Sequence, residues 1–259
     1  MKMLAALMVV TCAAVGNYGR AADTQDARRS PVLVELFTSE GCSSCPPADA
    51  MLRELDATQP VGGAQVIVLS EHVDYWNHDG WKDPYSSALL TARQSAYCRA
   101  LRVDDPYTPQ IIVDGTGELQ LNNPRQGSRM FQQAAAAPKI PMRIHSVAVD
   151  GTNPPVVHGR VEAGGNSEQK AEVYIAVALN HAESQVLRGE NSGQRLTHVA
   201  VVESLKKIGK LEKGTSFSQD FEMKLKPGTS PANIRIVAFV QEPGPGKVLG
   251  AALEKAPVQ

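Results

Sequence analysis

The sequence predicts two folded units, an α/β unit over residues 30–137 and an all-β, sandwich-like unit over residues 140–259, on three observations. Strand and helix periodicities alternate from Pro31 to about Pro138. Beyond Pro138 only strand periodicity continues, broken by Gly, Pro and Asn. The chain has 259 residues, 42% apolar and 20% charged, enough to bury cores of that size.

In chain order, Val32-Leu33-Val34-Glu35-Leu36-Phe37 is an apolar run broken by one acid, as expected of a strand covered on both faces. Ala48, Met51, Leu52 and Leu55 follow at i, i+3, i+4 and i+7, the spacing of an amphipathic helix. Val66-Ile67-Val68-Leu69 is a second buried strand. Tyr85, Ala88, Leu89, Ala92, Ala96 and Ala100 repeat the helical spacing, and Gln110-Ile111-Ile112-Val113 starts a third strand. Asp114-Gly115-Thr116-Gly117 reads as a hairpin turn into Glu118-Leu119-Gln120-Leu121. A helix over 126–137 closes a βαβ–ββα series. After the boundary at 137–141, Val173, Ile175, Val177 and Leu179 alternate with their neighbours, Phe217, Phe221, Met223 and Leu225 share one parity, and Ile234 and Ile236 do the same. Asn153-Pro154-Pro155, Gly164-Gly165-Asn166 and Pro243-Gly244-Pro245-Gly246 separate these runs, the pattern of a β-sandwich.

The first residues address the compartment. Met1-Lys2-Met3 is a short positive start, 4–15 is apolar, and Gly19 and Ala21 are the small residues of a cleavage point, so a signal peptide over residues 1–21 is expected. An uncleaved anchor would need a stop-transfer pattern, and lipidation at Cys12 would need a small residue where Thr11 stands. The mature chain is expected to be periplasmic or secreted, without stable membrane insertion. With 26 Lys plus Arg against 27 Asp plus Glu, a formal charge of -1 and no long basic run, nucleic acid is not an expected partner. Export leaves Cys42, Cys45 and Cys98 in an oxidising compartment, an odd number that implies a free thiol or a pairing with another molecule.

Cys42-Ser43-Ser44-Cys45 falls between the first strand and the first helix. A helix N-terminus offers unpaired N–H groups and partial positive charge to a thiolate, so Cys42 is the expected attacking sulfur and Cys45 the resolving one. Pro46 costs nothing in a first turn, and Glu40 opposes the effect. Thr108-Pro109 would present a backbone edge to the sulfurs. Glu35, an acid among apolar neighbours, is the candidate acceptor of the Cys45 proton, against the alternative of a carboxyl satisfied by local hydrogen bonds. His72, Asp74 and Trp76, with Asn77 and His78, follow the second strand at the carboxyl edge of the sheet, where substrate contact is expected. A loop whose Trp76 and Trp81 cap the core explains them equally well. Cys98 lies off the Tyr85–Leu89–Ala96 stripe, an exposed thiol beside Arg102. Arg188-Gly189-Glu190-Asn191 with Arg195 and His198 reads either as a groove lining or as a solvated loop.

These residues carry a resemblance. A strand, a CxxC at a helix start, βαβ and then Thr-Pro before ββα resemble the thioredoxin fold over about residues 30–137. The segment Glu35-Leu36-Phe37-Thr38-Ser39-Glu40-Gly41-Cys42-Ser43-Ser44-Cys45-Pro46-Pro47-Ala48-Asp49 resembles, more narrowly, a family of exported bacterial proteins catalogued as domain of unknown function 1223. His72-Val73-Asp74-Tyr75-Trp76-Asn77, Gly80-Trp81-Lys82-Asp83-Pro84, Tyr107-Thr108-Pro109-Gln110 and Leu196-Thr197-His198 are similar to it as well. The fold implied is thioredoxin-like, and the family brings no activity with it. Ser43-Ser44 stands where thioredoxin has Gly-Pro, and no Trp precedes Cys42.

Three functions compete. The first is thiol–disulfide exchange with a protein or small-molecule thiol or disulfide, through Cys42, Cys45, Glu35 and Pro109, with His72, Asp74, Trp76 and Thr108 contacting substrate and no cofactor implied. The second is copper or other metal handling, with the two cysteines as soft donors and His72 as third ligand. The third is a non-catalytic binding protein stapled by a structural disulfide.

Overall fold

The structure, a computed structural model, describes residues 29–256 other than 152 and 166. The expected signal segment over 1–21 and Cys12 lie outside the described residues. Among the described residues three α-helices, α1 (Pro46–Thr58), α2 (Ala88–Leu101) and α3 (Pro124–Ala136), are all drawn from the first half, and the second half has one short 3-10 turn at Pro231–Asn233. Thirteen strands run as β1 (Ser30–Thr38), β2 (Ala64–His72), β3 (Gln110–Val113), β4 (Gly117–Glu118), β5 (Met142–Val149), β6 (Val156–Ala163), β7 (Ala171–Leu179), β8 (Ala182–Gln185), β9 (Arg195–His198), β10 (Val201–Leu211), β11 (Phe217–Lys224), β12 (Ile234–Gln241) and β13 (Val248–Lys255).

The two-unit expectation, a thioredoxin-like α/β unit beside a separate β-sandwich, is corrected by the sheet order. Eight strands form one mixed sheet, β13-β12-β7-β10-β2-β1-β3-β4, with β11-β6-β5 and β8-β9 as smaller sheets. β10 lies against β2, where Val201 pairs with Ser70 and the Ser70 N–H donates to the Ala200 carbonyl at 2.8 Å. Cores are shared accordingly. Leu33, Ile67, Leu69 and Leu90 of the first half pack with Ala176, Ala178, Val202, Val237, Phe239 and Val248 of the second. The sandwich-like layering survives only locally, where β5, β6 and β11 cover the outer strands through Val157, Val161, Phe221 and Met223 against Ile175, Val177 and Ile236. Periodicity records that β2 is buried on both faces but not which strand lies beside it.

Local elements follow their sequence signals closely. Pro46 and Pro47 occupy the first turn of α1, where no N–H partner exists to lose. Ser87 caps α2 by accepting the Leu89 N–H, and Asn123 caps α3 by accepting the Gln126 N–H. The three-residue turn Asp114-Gly115-Thr116 joins β3 to β4, with Asp114 and Gly115 both left-handed. Gly115 has a second reason to lack a side chain, since a Cβ there would stand 2.2 Å from the Gly246 carbonyl oxygen. Asp114 ties the halves at this point. Its carboxyl accepts the Leu33 N–H and pairs with Lys139, while its carbonyl accepts the Val248 N–H.

Two local expectations fail. The strand after this turn stops at Glu118, and Leu121 is exposed. On α2 the buried residues are Leu90, Gln94, Tyr97 and Cys98, whereas Leu89 is exposed. Cys98 is therefore not the exposed thiol that its spacing suggested: its Sγ lies 3.8 Å from Gln110 Oε1, and burial pushes the thiol up. The alanines of the expected stripe mark no face, because so small a side chain is tolerated on either.

β1 and β2 run parallel and in register, so even-numbered residues of both share one face and odd-numbered residues the other. Val32, Val34, Leu36, Val66 and Val68 meet α1 and α3. Leu33, Ile67 and Leu69 meet α2 and the inner strands of the second half. This division sorts every buried polar residue of the two strands.

Candidate functional site

After β1 the chain turns through Ser39-Glu40-Gly41 into Cys42. Ser39 Oγ accepts the Gly41 N–H and the Ser39 carbonyl accepts the Cys42 N–H. A side chain at Gly41 would stand 3.0 Å from the Trp76 Cβ. The Cys45 N–H donates to the Cys42 carbonyl at 3.2 Å, and the Cys45 carbonyl accepts from Ala48 and Asp49 at 2.9 and 3.1 Å. Cys45 is thus the N-cap of α1, and Cys42 lies outside it at its electropositive end. The two sulfurs are joined in a disulfide, with a Cα separation of 5.5 Å.

Ser44 Oγ lies 3.4 Å from Cys42 Sγ and donates to the Thr108 carbonyl at 3.4 Å. Thr108 Oγ1 accepts the Trp76 Nε1–H at 2.8 Å, and the Thr108–Pro109 peptide is cis. Cys42, Cys45, Trp76, Thr108 and Pro109 are therefore brought together. Asp74 is not with them, since its carboxyl accepts the Thr91 hydroxyl of α2 at 2.6 Å.

A loop of the second half covers the disulfide. Cys42 and Cys45 are each 0% exposed, while Ser43 and Ser44 between them are open to solvent. Asn191, 1% exposed between β8 and β9, donates through Nδ2 to the carbonyls of Glu40 and Cys42 at 2.9 and 3.0 Å. Glu190 Oε2 accepts the Ser43 N–H at 3.0 Å, and the Ser43 hydroxyl and N–H hold that carboxyl below its usual range. Of the cluster read from sequence, Asn191 and Glu190 reach the cysteines, and Arg195 turns away to pair with Glu183. Removing the Asn191 amide takes two hydrogen bonds from the cover, each worth about 1 kcal/mol. Asn191→Ala is expected to speed reduction of the disulfide by dithiothreitol by up to roughly thirtyfold, as followed by alkylation and mass. An unchanged rate would show that the loop is no barrier.

Beneath the cysteines, on the α1 face of the sheet, lies a buried polar cluster. His72 Nδ1 is 2.7 Å from Asp83 Oδ2, and the same carboxyl accepts the N–H groups of Glu40 and Tyr85. Burial pushes the Asp83 carboxyl up, but His72 and these two N–H groups outweigh it and hold it below its usual range. His198 Nε2 is 3.3 Å from Glu40 Oε1, and His198 Nδ1 is 3.6 Å from Asp49 Oδ1. Burial disfavours its charge, yet the Asp49 and Glu40 carboxylates raise His198 to about 9, so it carries a proton at neutral pH. Trp81 Nε1–H donates to Glu40 Oε2, and the His72 and His198 rings meet edge to face at 4.7 Å. His72 is thus wholly buried and committed to Asp83. Among the described residues no group of three or more His, Cys, Asp or Glu is arranged to hold a metal ion.

Glu35 lies on the other face of the sheet. Its carboxyl pairs with Arg93 and accepts the Tyr97 hydroxyl, both of α2. Arg93 also donates to Gln241 Oε1 at 3.1 Å, and its guanidinium lies 5.1 to 5.6 Å from the ring centres of Tyr97, Tyr174 and Phe239. Glu71 completes the group at 3.6 Å from Arg93 Nε. Burial first, and then the charge of Glu35, raise Glu71 well above the usual range. The structure therefore places Glu35 across the sheet from α1 and Cys45. Sequence reading missed Arg93, Glu71, Tyr97 and Gln241. The one signal for them was two acids, Glu35 and Glu71, in neighbouring buried strands, which together call for a cation.

Residues 33–241 match the family model described as Protein of unknown function (DUF1223). Among solved structures, protein AGR_C_4864 from Agrobacterium tumefaciens is similar at a TM-score of 0.65 and 24% identity, over 89% of this chain and 96% of that one, a likeness that shows the fold. A domain of the outer membrane lipoprotein Omp28 from Porphyromonas gingivalis is similar over 48% of this chain and 98% of its own, at 14% identity and a TM-score of 0.27, and carries no argument. No curated protein matches the chain. No helix among the described residues is long and apolar enough to cross a membrane.

Proposed function

The chain belongs to the DUF1223 family, and from that premise we propose that it is an exported protein of thiol–disulfide exchange acting through Cys42 and Cys45. The observation that carries the reading is the disulfide itself, set across the N-terminus of α1 beside Trp76, Thr108 and Pro109. An incoming substrate thiolate attacks Cys42 Sγ, the Cys42–Cys45 bond breaks, and Cys45 leaves as a thiolate. A second substrate thiolate then attacks its own mixed-disulfide sulfur and expels Cys42, so the substrate is oxidised by two electrons and the protein reduced. The reverse sequence reduces a substrate disulfide. In either direction the helix terminus favours the thiolate form of Cys42.

The covered sulfurs favour a second reading, in which the bond is a staple that never turns over. Equilibration in glutathione buffers, read by alkylation and mass, separates the two. A reduction potential between about -120 and -270 mV is expected for a working exchange site, whereas a value below about -300 mV marks a structural bond and ends the exchange reading.

A further inference from the structure

Cys45, Ala48, Asp49, Leu52 and Leu55 form the buried stripe of α1. Asp49 stands one turn beyond Cys45, its N–H donating to the Cys45 carbonyl, and helical side chains lean toward the N-terminus, which directs its carboxyl toward the Cys45 turn. That carboxyl is only partly satisfied. Oδ2 accepts the Thr38 hydroxyl at 3.3 Å, while Oδ1 has no hydrogen-bond partner and faces His198 Nδ1, itself without one, at 3.6 Å. A buried acid with a free oxygen, a buried imidazole beside it and a thiol one turn away make a proton path.

We propose that Asp49, positioned by His198, exchanges the proton of Cys45, the role for which Glu35 lies on the wrong face of the sheet. This rests on the exchange reading above. When substrate attack on Cys42 expels Cys45, the His198 Nδ1 proton passes through the Asp49 carboxylate to the leaving thiolate, and His198 is left neutral. When the reduced site resolves a mixed disulfide, Asp49 accepts the Cys45 proton, the Cys45 thiolate bonds to Cys42 Sγ, and the substrate departs as a thiolate. No electrons pass through Asp49 or His198. The oxidised protein already holds the proton, because His198 is charged in its carboxylate cage.

The charged and titratable groups facing the pair come from every element around it. They are Glu40 of the β1–α1 loop, His72 at the end of β2, Asp83 and Tyr85 of the loop before α2, and Arg53 of α1, whose guanidinium holds the Thr197 carbonyl. The test uses opposite signs. In the chain from residue 22 onward carrying Cys42→Ala and Cys98→Ala, Cys45 is the single thiol, and its iodoacetamide alkylation is followed against pH. Asp49→Asn removes a negative charge and is expected to lower the alkylation midpoint by about one pH unit. His198→Gln removes a positive charge and is expected to raise it by about one unit. Loosened packing would move both variants the same way. In the unsubstituted protein, the NMR titration of His198, expected near 9 when oxidised, should shift its midpoint on reduction. An identical midpoint in both redox states overturns the proposal, as do same-sign shifts in the variants. Neither readout needs a substrate, so this proposal can fail while glutathione equilibration still supports exchange, and the converse.

Discussion

Cys45→Ser will accumulate mixed disulfides on Cys42, whereas Cys42→Ser will abolish exchange and accumulate almost none. The asymmetry follows from position: Cys42 stands outside α1 at its positive end, and Cys45 is the N-cap behind it. With Cys45 gone, a substrate sulfur joined to Cys42 has no internal thiol to expel it, and the adduct waits for an external one. Incubation with oxidised glutathione and intact-mass measurement should show one adduct per chain in Cys45→Ser. The buried Cys98 stays unmodified. If both variants remain without adducts and merely lose stability, the disulfide is a staple.

The second large effect concerns the opposite face of the sheet. Arg93→Met removes the guanidinium that compensates Glu35, leaving a buried acid with the Tyr97 hydroxyl alone, and is expected to cost about 3 to 5 kcal/mol in urea unfolding at pH 7. Glu71→Gln behaves oppositely. Burial and the neighbouring Glu35 raise Glu71 in the folded protein, so above the ordinary carboxyl value of 4.5 the unfolded chain gives up a proton that the folded chain keeps. Stability from this group therefore falls as pH rises from 4.5, and a glutamine, with no proton to lose, removes that fall. Glu71→Gln should be more stable than the unsubstituted protein at pH 7 and show no such gain at pH 4. Equal losses for the two variants would mean that the cluster is not charged as described.

The sequence made the local elements legible and the assembly much less so. The run from Val32 to Phe37, the α1 stripe and the Asp114-Gly115 turn each carry their own signal, because burial on one face or a left-handed backbone restricts which residues can stand there. The pairing of Ser70 with Val201 carries none, since neither residue's type depends on the identity of its neighbouring strand. The CxxC and Thr108-Pro109 were found because their chemistry is local. Glu35 was assigned to the cysteines from its place in β1, but an odd position in a strand whose even positions meet α1 faces away from them. Arg93 escaped notice because a charged residue on a helix ordinarily points to water; only its two buried acids draw it inside. Asn191 and His198 stood in view as a cluster of uncertain purpose, and the fold across β10 is what brings them over Cys42 and beneath it.

The position of β10 also sets a timetable for the growing chain. β2 leaves the ribosome roughly 130 residues before the strand that closes its open side, so the apolar edge of the first half waits through about half of synthesis. Such an edge is a client for chaperones until β10 arrives. Asn191 and Glu190 lie just ahead of β10, so the strand and the cover over the cysteines dock together. Cys42 and Cys45 therefore stand uncovered for as long as folding is incomplete, and gain the Asn191 and Glu190 cover only when β10 docks.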